Sequence, residues 1–178
     1  MENPHIFDIR TTAYSIEYFE QQMESEVAYS LRHQMPLTLA LFSVDHYEDL
    51  FEAFGESARD QILRRVVDEV RNLIRTEDVL ARYGTSEFGL LCRGIPLRAA
   101  EYLTTRIRQS IEGATISHQG MEVPVTVSIG LASLSPKTEA PLDMVRSAEG
   151  ALARAQASGN CIVVADDATD ESTATPSP

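Results

Sequence analysis

An α/β sandwich, with a mixed, mostly antiparallel sheet and helices on both faces, is the fold this sequence predicts. Three observations lead there. Amphipathic helical stretches alternate with apolar runs of strand length along the chain. Two of those runs, Val79 to Tyr83 and Phe88 to Cys92, are parted only by the tip Gly84-Thr85-Ser86 and a following Glu87, which reads as a hairpin. The 178 residues suit one domain of ordinary size with enough apolar content to bury a core.

Taken in order, residues 1–14 form a polar N-terminal segment without clear period. From Ser15, the spacing of Ile16, Phe19, Met23, Val27 and Leu31 marks one face of a helix that Pro36 stops. Leu37 to Val44 is a continuous apolar run, as expected of a strand covered on both faces. After the polar cluster Asp45 to Asp49, Gly55 breaks a short turn of helix. A long helix follows, burying Ala58, Ile62, Val66, Val70, Leu73 and Ile74 and turning Arg64, Arg65, Asp68 and Arg71 to solvent.

Beyond the hairpin, Pro96 opens a helix through Leu103, Ile107 and Ile111 to Gly113. Gln119-Gly120 is a turn, and Val123, Val125, Val127 and Ile129 alternate as a strand. A last helix, Leu142 to Ala157, leads through Ser158-Gly159-Asn160 to a strand from Cys161 to Val164. The folded domain is expected over 15–165, and the acidic Ser/Thr/Pro-rich tail, 166–178, has too few apolar residues to fold.

The net charge of -12 argues against nucleic acid or an anionic membrane as partner. Cys92 and Cys161 lie in apolar runs rather than spaced pairs, which predicts buried free thiols in a reducing compartment. With no signal-peptide pattern and no apolar run near the ~20 residues of a membrane span, a cytoplasmic protein is expected. His5, His33, His46 and His118 are scattered, without a ligand partner at useful spacing.

Arg75 and Asp78, three apart before the first hairpin strand, can aim a forked donor and paired acceptors at one planar ligand. A surface ion pair of about 0–1 kcal/mol is the plainer alternative.

Tyr83-Gly84-Thr85-Ser86-Glu87-Phe88 resembles the GGDEF signature of bacterial diguanylate cyclases, which join two GTP molecules into cyclic di-GMP. Arg75-x-x-Asp78 resembles the RxxD site at which that family binds its own product. Asp8 and Thr11 fit its opening motif, and Thr126 to Gly130 one of its strands. The resemblance covers about Asp8 to Val164 and implies a ferredoxin-like nucleotide-cyclase palm.

It also implies that metal carboxylates of active members are replaced here by Ser43 and Ser86, the second signature glycine by Thr85, and the guanine-reading Asn by Phe51, with Asp60 retained. Family lysines appear as Glu48 and Gln156. Gly84, Glu87 and Phe88 keep the signature. Asp45 as a helix cap and Glu87 as partner of a nearby Arg are read as structural, so no metal and no required cofactor are expected. The resemblance thus implies an inactive cyclase homologue that binds cyclic di-GMP through Arg75, Asp78 and Arg106. A protein partner and a ligand-bridged homodimer go with that reading. The alternatives are a nucleotide-independent interaction scaffold and, last, an active cyclase.

Overall fold

The computed structural model describes residues 6–136, 138 and 140–166. The expected disordered tail therefore falls outside the described residues from residue 167 on, as does His5. Helix α1 (Ile16–His33) starts where the Ser15 hydroxyl accepts from the Tyr18 N–H, at 3.2 Å. It ends at Gln34, whose left-handed φ of 53° turns the chain into β1 (Leu37–Val44). Helix α2 (Tyr47–Arg71) is interrupted at Gly55, with φ 80° and ψ -177°, as the sequence predicts.

The hairpin is β2 (Val79–Arg82) and β3 (Glu87–Arg93), followed by α3 (Leu97–Gly113). A small ribbon, β4 (Ile116–His118) and β5 (Met121–Val123), precedes β6 (Val127–Ser133), α4 (Pro141–Ser158) and β7 (Ile162–Val164). The main sheet has the order β2-β3-β1-β6-β7, antiparallel except for the β6–β7 pair.

Strand β1 lies at the centre and is buried along its whole length. Its Ala40, Phe42 and Val44 join the core under α2 and α3, and its Leu37, Leu39 and Leu41 join the core under α1 and α4. That is the period-2 division expected of a strand covered on both faces. Gly130 of β6 explains why its strand needs a glycine: a Cβ there would collide with the α4 backbone at Ala148 and Leu152. Helix and sheet are therefore packed backbone to backbone at that point.

Four expectations are corrected. Leu31 is 42% exposed, and Ser30 takes the buried position in the last turn of α1. Leu73 and Ile74 follow the end of α2 and pack, half-buried, from the loop. The alternating run from Val123 to Ile129 is broken at Pro124, which has no N–H for a ladder, so its halves join different sheets.

Arg64 and Arg71 are not merely solvated. Arg64 Nε donates to Arg10 O at 2.6 Å, and Arg71 donates to Thr12 Oγ1 at 2.8 Å and Thr12 O at 2.5 Å. These bonds fasten the N-terminal segment across α2. Tyr14 then bridges to Ala81 at the sheet edge.

Candidate functional site

The hairpin has two ends, and the sequence places candidate residues at both. At the turn, the Ser43 and Ser86 hydroxyls meet at 3.3 Å, and Val44 N–H donates to Ser86 O at 3.0 Å. Tyr83 and Gly84 N–H both donate to Glu87 O, at 2.9 and 3.1 Å. From below, Arg82 donates to Gly84 O at 2.5 Å and to Thr85 O, with its guanidinium 5.2 Å from the Phe88 ring centroid. Phe88 is fully buried and stacks on Phe42. Thr85 is exposed at the tip.

Among the described residues Glu87 pairs with no arginine; its carboxylate lies over Gly84, where a Cβ would collide with Oε2. Asp45 does not cap α2 either. Its carboxylate accepts from Thr126 Oγ1 at 2.7 Å, Ser128 Oγ at 2.7 Å and Asn160 N–H at 2.9 Å. His46, with a left-handed φ of 52°, stands at the head of α2 without a side-chain cap, so Asp45 points across β6 instead. Asp45 thereby ties β1, β6 and the loop before β7 together.

In the first turns of α2, Phe51 carries the Arg59 guanidinium 5.4 Å from its ring centroid, the separation of a cation–π contact. Asp60 lies 3.9 Å from Arg10. Among the described residues no three His, Cys, Asp or Glu side chains gather so as to hold a metal ion.

At the other end of β2, Asp78 is 5% exposed. Its Oδ2 accepts from Arg75 N–H at 3.0 Å and its Oδ1 from Arg93 N–H at 3.4 Å. Burial raises the Asp78 pKa, outweighing the two backbone donors that act to lower it. The Arg75 side chain is exposed. It borders a groove of about 310 Å³ lined by Phe7, Tyr14, Arg71, Asp78 and Leu80 among others. Arg106 lies on the exposed side of α3, 6.0 Å from the Tyr102 ring centroid, and is not among the groove's lining residues.

The family model "Diguanylate cyclase, GGDEF domain" matches residues 5–161. The chain belongs to the GGDEF-domain family. This GGDEF domain is 30% identical over 162 residues to a protein of Escherichia coli (strain K12) named "Probable diguanylate cyclase DgcT", covering 89% of this chain and 35% of that protein. Three curated relatives it matches are all much longer, the domain spanning 21% to 35% of their length.

Among solved structures, the FimX GGDEF domain from Pseudomonas aeruginosa superposes with a TM-score of 0.85 at 26% identity, covering 89% of this chain and 98% of that one. The GGDEF domain of DgcB from Caulobacter crescentus, solved in complex with c-di-GMP, superposes with a TM-score of 0.88 at 20% identity, covering 93% and 96%. At that identity the second match speaks for the fold, which is the nucleotide-cyclase palm the sequence resembles.

In this GGDEF domain the sequence signals led to the turn and to the Arg75/Asp78 corner. They missed Phe7, Tyr14 and Arg71. The two aromatics sit in a segment without period, and only its closure on the sheet brings them beside Arg75. Cys92 is buried and its thiol pKa is pushed up by burial, so it is an inert core group; Cys161 is half-buried. His118 is nearly buried, 3.1 Å from Gln61 Oε1 and 3.4 Å from Ser57 Oγ, where it packs the β4–β5 ribbon onto α2.

Proposed function

We propose that this GGDEF domain is a cyclic di-GMP receptor that does not make the dinucleotide, and that it passes the bound state to a protein partner. The observation that carries the first half is the contact between Ser43 and Ser86. At those positions the family resemblance puts the carboxylates that hold divalent metal, which neutralises the triphosphate and activates the attacking hydroxyl. Two neutral hydroxyls engaged with each other do not fit that role, and Asp45 already accepts from three protein donors. Phe51 under Arg59 offers guanine no hydrogen-bonding edge.

Binding of cyclic di-GMP rests on the exposed Arg75 beside its groove. Guanine presents O6 and N7 as adjacent acceptors for a guanidinium, and N1–H and N2–H as donors to a carboxylate. Asp78 uses one lone pair of each oxygen on backbone N–H groups, which leaves acceptor capacity toward the groove. Arg106 would reach the ligand from the exposed face of α3, and a stacked dinucleotide could bridge two such domains as a homodimer. No cofactor is required for binding, and two cysteines outside any framework of spaced pairs suit a reducing cytoplasm.

A second reading is a nucleotide-independent scaffold. The same Asp78 contacts favour it, since a carboxylate tied to Arg75 N–H and Arg93 N–H has a structural reason to be there without any ligand.

Isothermal titration of the protein with cyclic di-GMP, alongside GTP with magnesium, decides between them. Saturable cyclic di-GMP binding that is lost in Arg75→Ala supports the receptor. No heat from either ligand supports the scaffold. Turnover of GTP to cyclic di-GMP would overturn both.

A further inference from the structure

The groove beside Arg75 is walled on one side by the N-terminal segment, and that wall is aromatic. Phe7 and Tyr14 bridge as an antiparallel pair, and their rings stack at 5.0 Å with an interplanar angle of 20°. Tyr18 continues the stack at 4.4 Å and 24°. Phe7 and Tyr14 both line the groove and are only half-buried. An aromatic face of this kind takes a nucleobase irrespective of its hydrogen-bonding edge, because every base has a π-face.

Arg71 lines the same groove. Its guanidinium has five N–H donors and gives two of them to Thr12. Among the described residues the other donors have no acceptor, which leaves them to a phosphate. The volume, about 310 Å³, is at the small end of the ~300–1,000 Å³ of small-molecule pockets, which suits one nucleoside monophosphate unit rather than a whole dinucleotide.

We infer that residues Phe7 to Tyr14 form part of the dinucleotide site, with Phe7, the end ring of the stack, taking one guanine on its outer face, Tyr14 backing that ring from behind, and Arg71 meeting the phosphate. This rests on the receptor reading and adds a base-stacking wall to the Arg75/Asp78 corner. It also gives the ligand a mechanical consequence. Arg71 is at once the clasp of the N-terminal segment, through Thr12, and a wall of the groove. Occupation of the groove and ordering of that segment are therefore coupled, and the coupling is reciprocal.

The test is cyclic di-GMP titration of the parent, Phe7→Ala, Phe7→Leu, Tyr14→Ala and Arg75→Ala proteins, each first shown to melt cooperatively, with hydrogen exchange of residues 6–14 followed with and without the dinucleotide. Loss of one stacked base predicts affinity weaker by about tenfold or more in Phe7→Ala, and a smaller loss in Tyr14→Ala, which removes the ring behind Phe7. Phe7→Leu, which keeps apolar bulk and loses the ring, is expected to be weakened too. Amides of residues 6–14 in the parent should gain protection on binding.

If the parent binds, Arg75→Ala does not, and Phe7→Ala binds within about twofold of the parent, the wall is wrong and the receptor stands. Full affinity in Phe7→Leu would likewise overturn stacking in favour of plain packing. A parent that does not bind at all overturns both.

Discussion

The two ends of the β2–β3 hairpin use their polar side chains in opposite ways. At the turn they engage the protein itself: Ser43 meets Ser86, Asp45 accepts from three donors, and Arg82 holds two carbonyls. At the start of β2, Asp78 holds the backbone while Arg75 is left facing solvent beside a groove. Buried polar groups must find partners whether or not there is a ligand. A site that satisfies itself internally becomes structural, and one that leaves a cation exposed stays available for binding.

The sharpest way to test the first half of that contrast is to empty its hub. Asp45→Ala leaves Thr126, Ser128 and Asn160 without their common acceptor, and since hydrogen bonds to charged groups contribute ~1.5–3 kcal/mol each and do not add fully, a loss of about 3 kcal/mol is expected in urea unfolding. A loss below about 1 kcal/mol would mean that the three bonds do not hold the turn end together.

Next is the doubly substituted Ser43→Asp, Ser86→Asp protein. Two carboxylates in place of two touching hydroxyls repel in a site where Ser43 is 2% exposed. The expected cost is about 2–3 kcal/mol without divalent ions, with recovery on adding manganese because an ion that binds only the folded state stabilises it. The parent should show no such thermal shift. A parent stabilised by manganese would contradict the view that its turn end has no use for metal.

At the other end, Asp78→Ala orphans the Arg75 and Arg93 N–H groups and should cost about 1–3 kcal/mol. Asp78→Asn, which keeps an acceptor and removes the buried charge, should cost less. Asp78→Ala is therefore a poor probe of binding alone, and Arg75→Ala is the clean one. The parent and Asp78→Asn also separate by pH. A carboxyl whose folded pKa is raised contributes fully below its ordinary value of 3.8 and loses that contribution as pH rises through the folded value. The stability of the parent relative to Asp78→Asn should thus fall from acid toward neutral pH. The opposite slope would mean that the backbone donors outweigh burial.

The smallest effect belongs to Arg71→Ala, which removes the clasp on Thr12. Exposed bonds of this kind contribute about 0.5–1.5 kcal/mol, so global unfolding should move little while hydrogen exchange in residues 6–14 accelerates. Unchanged exchange there would show that the Tyr14 bridge alone holds the segment.

Most of the fold was legible because its signals are local. The spacing of Phe19, Met23 and Val27, the unbroken run from Leu37 to Val44, and the turn chemistry at Gly55, Gly84 and Gln119-Gly120 each declare an element within a few residues. The hairpin corner was legible for the same reason. What was missed depends on pairs far apart in sequence. Nothing near Asp45 announces Thr126, Ser128 or Asn160 as its donors, and nothing near Arg71 announces Thr12. Pro124 did carry a local warning, but the alternating valines around it outweighed the missing N–H.

Arg82 has one more consequence. It grips the turn through the carbonyl oxygens of Gly84 and Thr85, atoms that every amino acid carries. A loop held by its main chain keeps that hold when its side chains change. The signature letters at the tip can then change with this grip left in place, so loss of one chemistry need not unmake the domain.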